Sequence, residues 1–193
     1  MTVDPISSLK SDPDLRPLIE EHGELTLEPA EDTFERLVRS IISQQVSTAS
    51  ARAIRERVFD RFEVTPEAII AADRDALRDA GLSSQKAEYV QNVAEAYLER
   101  GYDHAYFEEM SDDEVVAELT TIRGVGEWTA RMYLMFCLGR EDVFPVEDLG
   151  IRRGMESIND GDMTRAEMVD RAEPWRPYRS YASLYLWRAV DGE

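Results

Sequence analysis

Helix boundaries are written along this chain so densely that little room is left for any other element. Asp12-Pro13 offers a cap and a first-turn proline, with Gly23 as a stop. Asp32 and Glu35 stand at capping-box spacing ahead of Phe34, Leu37, Val38, Ile41 and Ile42, an i, i+3, i+4, i+7, i+8 stripe. Ser47 opens a segment carrying Ala51, Ile54, Val58 and Phe59 on one face, and Thr65-Pro66 opens the next. Asp73 to Ala80 closes at Gly81, and Ser83 to Arg100 closes at Gly101. Ser111 with Glu114 leads into Val115, Val116 and Leu119; Glu127 to Leu138 closes at Gly139. Further starts follow at Asp148, at Thr164 with Glu167, and near Pro177. No turn dipeptide joins two alternating runs, and no solenoid-length repeat is present. The pattern predicts an all-α fold of about ten helices.

With 193 residues and 43% apolar content, one good-sized domain or two subdomains sharing a core can form. The net charge of −18 is far outside the magnitude of roughly 2 to 8 that suits a small soluble domain. Taken alone it opposes a polyanionic partner. Its distribution says otherwise. Residues 1–35 hold 10 acids and 2 bases, and residues 99–118 hold 8 acids and 1 base, whereas residues 36–98 carry 9 of each and residues 119–193 carry 13 acids and 10 bases. An anionic ligand can be met in the balanced stretches. Of the 22 basic residues only Lys10 and Lys86 are lysines. Acid excess with lysine avoidance reads as adaptation to a halophile's cytoplasm, where the Debye length shrinks to about 3 Å at 1 M salt. The single cysteine, Cys137, excludes a disulfide framework, a cysteine-ligated zinc and an iron–sulfur cluster within one chain. The start Met1-Thr-Val-Asp-Pro has no basic and apolar leader pattern, and no run is long enough to span a bilayer, so a cytoplasmic location and no membrane partner are expected.

The chemistry concentrates in residues 119–148. In Leu119-Thr-Thr-Ile-Arg-Gly-Val-Gly-Glu-Trp-Thr-Ala130, Gly124 and Gly126 lie between two helices, the second beginning just after Gly126. Glycines there let backbone approach a ligand, and the amides of a new helix sit at a positive dipole end. That makes an anion site suited to phosphate, with Arg123 as an added cation. On this pattern alone a plain helical hairpin fits equally well. Asp148 reads on its own as a helix N-cap, and Glu147 beside it as a solvent-facing acid.

The full string resembles the helix-hairpin-helix DNA-binding motif. About 18 residues further on, Val143-Phe-Pro-Val-Glu-Asp-Leu-Gly150 resembles the segment that carries the catalytic aspartate of helix-hairpin-helix base-excision DNA glycosylases. Ala172-Glu-Pro-Trp-Arg-Pro-Tyr-Arg-Ser-Tyr-Ala-Ser-Leu-Tyr-Leu-Trp187 is similar to the tail of the 3-methyladenine DNA glycosylase II (AlkA) branch, and Ile41-Ile-Ser-Gln-Gln-Val-Ser47 to the family's wedge-bearing segment. The resemblance spans roughly residues 33–190. It implies two helical subdomains around a cleft within residues 33–193, preceded by an acidic segment, 1–32, too short for the β-rich domain of the longer members.

The resemblance also implies roles. Asp148 is the catalytic carboxylate, which stabilises an oxocarbenium-like sugar and orients or deprotonates water. Gly124, Gly126, Arg123 and Thr129 bind DNA phosphate, and the backbone carbonyls of Thr120, Ile122 and Val125 hold a monovalent cation when DNA is bound; no cofactor is required. Trp128 and Trp187 wall the base pocket, where a cationic alkylated purine gains roughly 0.5 to 2 kcal/mol per ring. Met132 and Leu149 stand where the best-known branch member has tyrosines, which bears on substrate range. Trp175, Tyr178 and Tyr181 read as core. Gln45 is the wedge that fills the gap left by the flipped nucleotide. Lyase members carry a lysine two residues past the second hairpin glycine; here that residue is Trp128, so a monofunctional hydrolase is implied. The expected partner is double-stranded DNA with damaged bases, acted on by a monomer at the prokaryotic nucleoid. Other readings are a non-catalytic DNA-binding module, a glycosylase/lyase, an acidic DNA mimic, and a glycosylase for hypoxanthine or methylated pyrimidines.

Overall fold

The computed structural model describes residues 4–159 and 161–191, and among these it contains thirteen α-helices, one 3-10 turn and no strand. In order they are α1 (Pro5–Leu9), α2 (Arg16–His22), α3 (Thr33–Ser43), α4 (Thr48–Arg61), α5 (Pro66–Ala71), α6 (Arg74–Asp79), α7 (Ser84–Arg100), α8 (His104–Phe107), α9 (Asp112–Thr120), α10 (Glu127–Phe136), α11 (Leu149–Ile158), α12 (Arg165–Ala172) and α13 (Arg179–Asp191). None of these helices is long and apolar enough to cross a membrane.

The caps legible in the sequence cap helices in fact. Side chains of Asp32, Ser47, Thr65, Asp73, Ser83, Ser111, Asp148 and Thr164 each accept a first-turn amide. The capping boxes at Ser111/Glu114 and Thr164/Glu167 close reciprocally. At α3 only half the box forms, because Glu35 turns to Arg39 instead. The helix expected from Asp12-Pro13 begins at Arg16. Asp12 caps a turn by accepting the amides of Asp14 and Leu15. The short α1 and α8, five and four residues, carry too little periodicity to be seen in advance.

Contacts divide the chain into two units: residues 30–138, and a second unit combining the described residues up to Pro29 with those from Gly139 onward. The described residues 4–29 of the acidic segment fall in the second unit. The segment's apolar residues Ile6, Leu9, Leu15 and Ile19 are buried with Phe144, Ile151, Met155, Met168 and Trp175. Despite its charge, the segment has a core face to bury.

Within the unit 30–138, the α3 stripe Phe34, Leu37, Val38, Ile41 and Ile42 is wholly buried. It packs on α4, α7 and α10. Phe34, Tyr97, Tyr102, Tyr106, Phe107 and Tyr133 interlock edge to face or tilted. The Tyr97 hydroxyl is paired at 3.1 Å with both Thr33 Oγ1 and Tyr133 Oη. Burial pushes the Cys137 thiol up to about 12, leaving it a small apolar core residue.

In the second unit, α13 packs on α11, α1 and α2, and α12 on α11. Trp175 and Tyr178 are core residues, as expected. Asp12 binds this unit's N-terminal part to its C-terminal part. It accepts two bonds from Arg171 at 2.8 Å and one from Trp175 Nε1 at 2.7 Å. Desolvation raises its pKa, but the bonds from Arg171, Trp175 and two amides outweigh it and bring the pKa from 3.8 to about 2.

Because the folded value lies below the ordinary one, the stabilisation is complete above about pH 4 and disappears as pH falls toward 2. Asp12→Asn should destabilise the protein by roughly 1–3 kcal/mol near neutrality. Thermal melts of wild type and variant should converge only below about pH 2.

Candidate active site

The residues singled out above fall in both units, and each group is built differently. In the unit 30–138, α9 and α10 are joined by the turn 121–126. Gly124 has φ +109, and a Cβ there would lie 2.2 Å from the Tyr89 ring, so only glycine fits. Gly126 differs: its φ is −95 and a Cβ would meet nothing within 4 Å. It caps α10 with no side-chain hydrogen bond. The first amides of α10 are therefore presented beneath open space rather than covered by a Ser, Thr or Asp cap.

Polar side chains from neighbouring elements hold the turn. Gln44 Nε2 donates to the Gly124 carbonyl at 3.1 Å and to Thr129 Oγ1 at 3.0 Å. Asn92 Nδ2 donates to the Arg123 carbonyl at 3.0 Å. Thr129, expected to bind phosphate, is only 2% exposed and its hydroxyl is engaged by Gln44. Its side chain braces the turn, and its phosphate-binding role is left to its backbone amide in the first turn of α10. Arg123 is exposed and paired with Glu88 at 2.7 Å. Such surface pairs are worth about 0–1 kcal/mol, so a phosphate can displace the carboxylate. The Ile122 carbonyl accepts the Val125 amide at 3.0 Å; Ile122 and Val125 belong to the turn, and Thr120 is the last residue of α9. Three carbonyls without a carboxylate are a donor set suited to a monovalent cation.

Gln45 is exposed, in the turn between α3 and α4. Its φ of +55 makes it the one non-glycine residue with positive φ among the described residues. Held left-handed conformations of this kind gather at functional sites. Trp128, half-buried, and Met132, buried, are one turn apart on the same face of α10.

In the other unit, Asp148 is the N-cap of α11, and its N-cap and catalytic readings are compatible. Its Oδ1 accepts the Ile151 amide at 3.0 Å and Trp187 Nε1 at 2.8 Å. Two N–H donors on one oxygen orient the carboxylate. Trp187, expected only as a pocket wall, is thus joined to the carboxylate itself. Leu149 follows at the first position of α11, 52% exposed. Glu147, expected to face solvent, is half-buried with one carboxylate oxygen out of contact with water.

Helix α13 positions this segment along its length. At its start Arg179 binds Asp142 through Nε at 2.7 Å, and Ser180 Oγ donates to the Arg140 carbonyl at 2.6 Å and accepts the Val143 amide at 2.9 Å. Two turns later comes Trp187. Helix α11 approaches through two glycines. A Cβ on Gly150 would lie 2.7 Å from Trp187 Cδ1 and 3.0 Å from Asp148 Oδ1, and one on Gly154 would lie 2.5 Å from the Leu186 carbonyl oxygen. Gly150 and Gly154, like Gln44 and Asn92, were not singled out from the sequence. The i, i+4 glycine spacing within a helix is the signal that marks the first pair. Nothing local marks Gln44 or Asn92, whose partners are 80 and 31 residues away.

A family model described as HhH-GPD superfamily base excision DNA repair protein matches residues 38–177. Over 188 residues the chain is 32% identical to YfjP of Bacillus subtilis, a protein named for DNA-3-methyladenine glycosylase activity, covering 92% of this chain and 66% of that one. Over 168 residues it is 33% identical to DNA-3-methyladenine glycosylase 1 of Schizosaccharomyces pombe, covering 81% of this chain and 72% of that one. The solved structure of the Schizosaccharomyces pombe 3-methyladenine DNA glycosylase Mag1 in complex with abasic DNA superposes with a TM-score of 0.86 at 29% identity, covering 96% of each chain.

The two hairpin glycines should part company on substitution. Gly124→Ala combines strained φ with a clash against Tyr89 and should cost about 1–3 kcal/mol. Gly126→Ala should leave the thermal midpoint nearly unchanged while weakening binding to duplex DNA, measured by fluorescence anisotropy.

Proposed function

Because the chain belongs to the HhH-GPD superfamily of base excision DNA repair proteins, we propose that it is a monofunctional DNA N-glycosylase, hydrolysing the N-glycosidic bond of damaged bases flipped out of duplex DNA. The proposed substrates are N-alkylated purines, 3-methyladenine, which the relatives' names carry, and by the same chemistry 7-methylguanine. The observation that carries the reading is the carboxylate of Asp148, aimed by the Ile151 amide and the Trp187 indole N–H.

Loss of an alkylated purine leaves positive charge on the sugar. A carboxylate whose orientation is set before the reaction stabilises that charge without reorganising. The same group can orient or deprotonate the attacking water. Trp128 occupies the place where a lyase would carry its amine, and an indole forms no Schiff base, so water captures the sugar. The amides after Gly126 and the Arg123 guanidinium grip a DNA phosphate, and the backbone carbonyls of Thr120, Ile122 and Val125 would hold a monovalent cation, which would supply positive charge to the phosphate backbone. Trp128, with Met132 on the same helix face, contacts the extruded base, and Gln45 fills the gap it leaves. With no tyrosine at 132 or 149, the chain offers a cationic base fewer aromatic faces, so neutral lesions such as hypoxanthine belong in a substrate screen. One chain suffices for this chemistry, carried out on the chromosome in the cytoplasm.

Base release from methylated duplex DNA at molar salt tests the assignment. Asp148→Asn should lower the single-turnover rate by about 10²–10³. Trp187→Phe keeps an aromatic face but loses the N–H, and Gly150→Ala pushes into the same bond. Both should lower the rate with little loss of DNA affinity. Equal rates for wild type and Asp148→Asn would remove Asp148 from the mechanism, and borohydride trapping of a covalent adduct would overturn the monofunctional reading.

The charge pattern bears on binding as well. Affinity for DNA should fall less steeply with added salt than the slope of about −0.9 per neutralised phosphate expected of a basic protein making the same contacts. A titration across the molar range reads this directly, and a slope as steep as that of a basic homologue would refute it.

A further inference from the structure

Lys86 is one of two lysines among 22 basic residues, and it is the one that is built into the fold. From the first turn of α7 its Nζ donates to the carbonyl of Ile42 and to that of Gln44, each at 2.6 Å. Burial lowers its pKa from the ordinary lysine value, an unfavourable setting that the two carbonyls offset. The requirement for lysine is geometric. Two carbonyls converge on one point, and a compact ammonium sends separate N–H groups to both, whereas a guanidinium spreads its donors over a planar fork.

Those carbonyls belong to the end of α3 and to the residue just before Gln45. The Gln44 side chain is tied as well, to Gly124 and Thr129 of the hairpin. Gln45 is therefore flanked by a residue held at both its carbonyl and its amide group, and it keeps a left-handed φ of +55 that costs a non-glycine residue roughly 1–2 kcal/mol. A strained conformation persists only where its surroundings over-determine it. Lys86 supplies two of the bonds in those surroundings, with no carboxylate partner among its described contacts.

We propose that Lys86 is a positioning residue that, through the carbonyls of Ile42 and Gln44, holds Gln45 in the conformation in which it plugs the duplex after base extrusion. This rests on the assignment of Gln45 as the wedge. An ordinary helix-end cap would stabilise α3 but would not act through Gln45, and the two roles can be separated.

The probe is duplex DNA carrying 2-aminopurine beside a tetrahydrofuran abasic analogue, whose fluorescence rises when a protein side chain fills the gap and unstacks the reporter. Lys86→Met keeps the aliphatic stem and removes the donors. It should bind undamaged duplex within about twofold of wild type while the gap-filling equilibrium falls about tenfold, the factor matching about 1.4 kcal/mol of lost conformational bias. In a Gln45→Ala background the same substitution should have no further effect on the signal. Lys86→Arg retains the charge and serves the same comparison if Lys86→Met does not fold. A full fluorescence rise in Lys86→Met, or a loss that persists undiminished on top of Gln45→Ala, overturns the proposal. An unchanged rise in Gln45→Ala alone instead overturns the wedge assignment on which it rests.

Discussion

Everything the Asp148 segment offers to a substrate depends on how closely α13 lies against α11. Gly150 and Gly154 face α13 at distances that exclude even a methyl group, and the indole of Trp187 reaches the Asp148 carboxylate across the first of them. The bond could not form with any larger residue at 150 unless the helices moved apart. Moving them would also strip the turn at residues 140–143 of Arg179 and Ser180, which belong to the same helix. One packing distance thus controls both the placement of the carboxylate and its aim.

The hairpin shows a different economy. Its turn is an irregular backbone stretch whose carbonyls are taken up by side chains from elsewhere in the same unit, Gln44 on that of Gly124 and Asn92 on that of Arg123. Satisfying the turn's acceptors from behind keeps its shape while the amides ahead of α10 remain the donors presented outward. The turn between α3 and α4 that carries Gln45 is braced in the same manner by Lys86. Both turns are held by polar contacts rather than by regular structure, a form of preorganisation that would spare the ordering cost of binding DNA in the proposed manner.

The acid excess is less a statement about partners than about local structure and solvent. Asp4, Asp32, Asp73, Asp103 and Asp148 cap helices, and Asp12 and Asp142 are hubs for Arg171, Arg176 and Arg179. A helix-rich chain with many short helices needs many caps, and carboxylates at N-termini are favoured by the dipole as well. The mode of DNA binding proposed above, through backbone amides and Arg123, asks little of net charge.

The all-helical class was legible in the caps because capping is a contact between residues two or three apart, whereas the short α1 and α8 raised the thirteen helices above the ten or so expected. The amphipathic stripe of α3 was legible for the same reason, and so was the residue type and place of Asp148, Gly124 and Gln45. The start of α2 was misjudged because Asp12 is claimed by Arg171 and Trp175, some 160 residues along the chain. That the Thr129 hydroxyl is taken by Gln44 was not legible, because only the fold brings the two together. By itself the sequence determined an all-helical chain, the irregular turns within it and the chemical groups they carry, since these follow from neighbours in the chain. Tertiary structure alone decided which oxygen of Asp148 is held and by what, which glycine is required for packing and which for open space, and what keeps Gln45 strained. Those outcomes rest on distances between residues far apart in sequence, which no local pattern encodes.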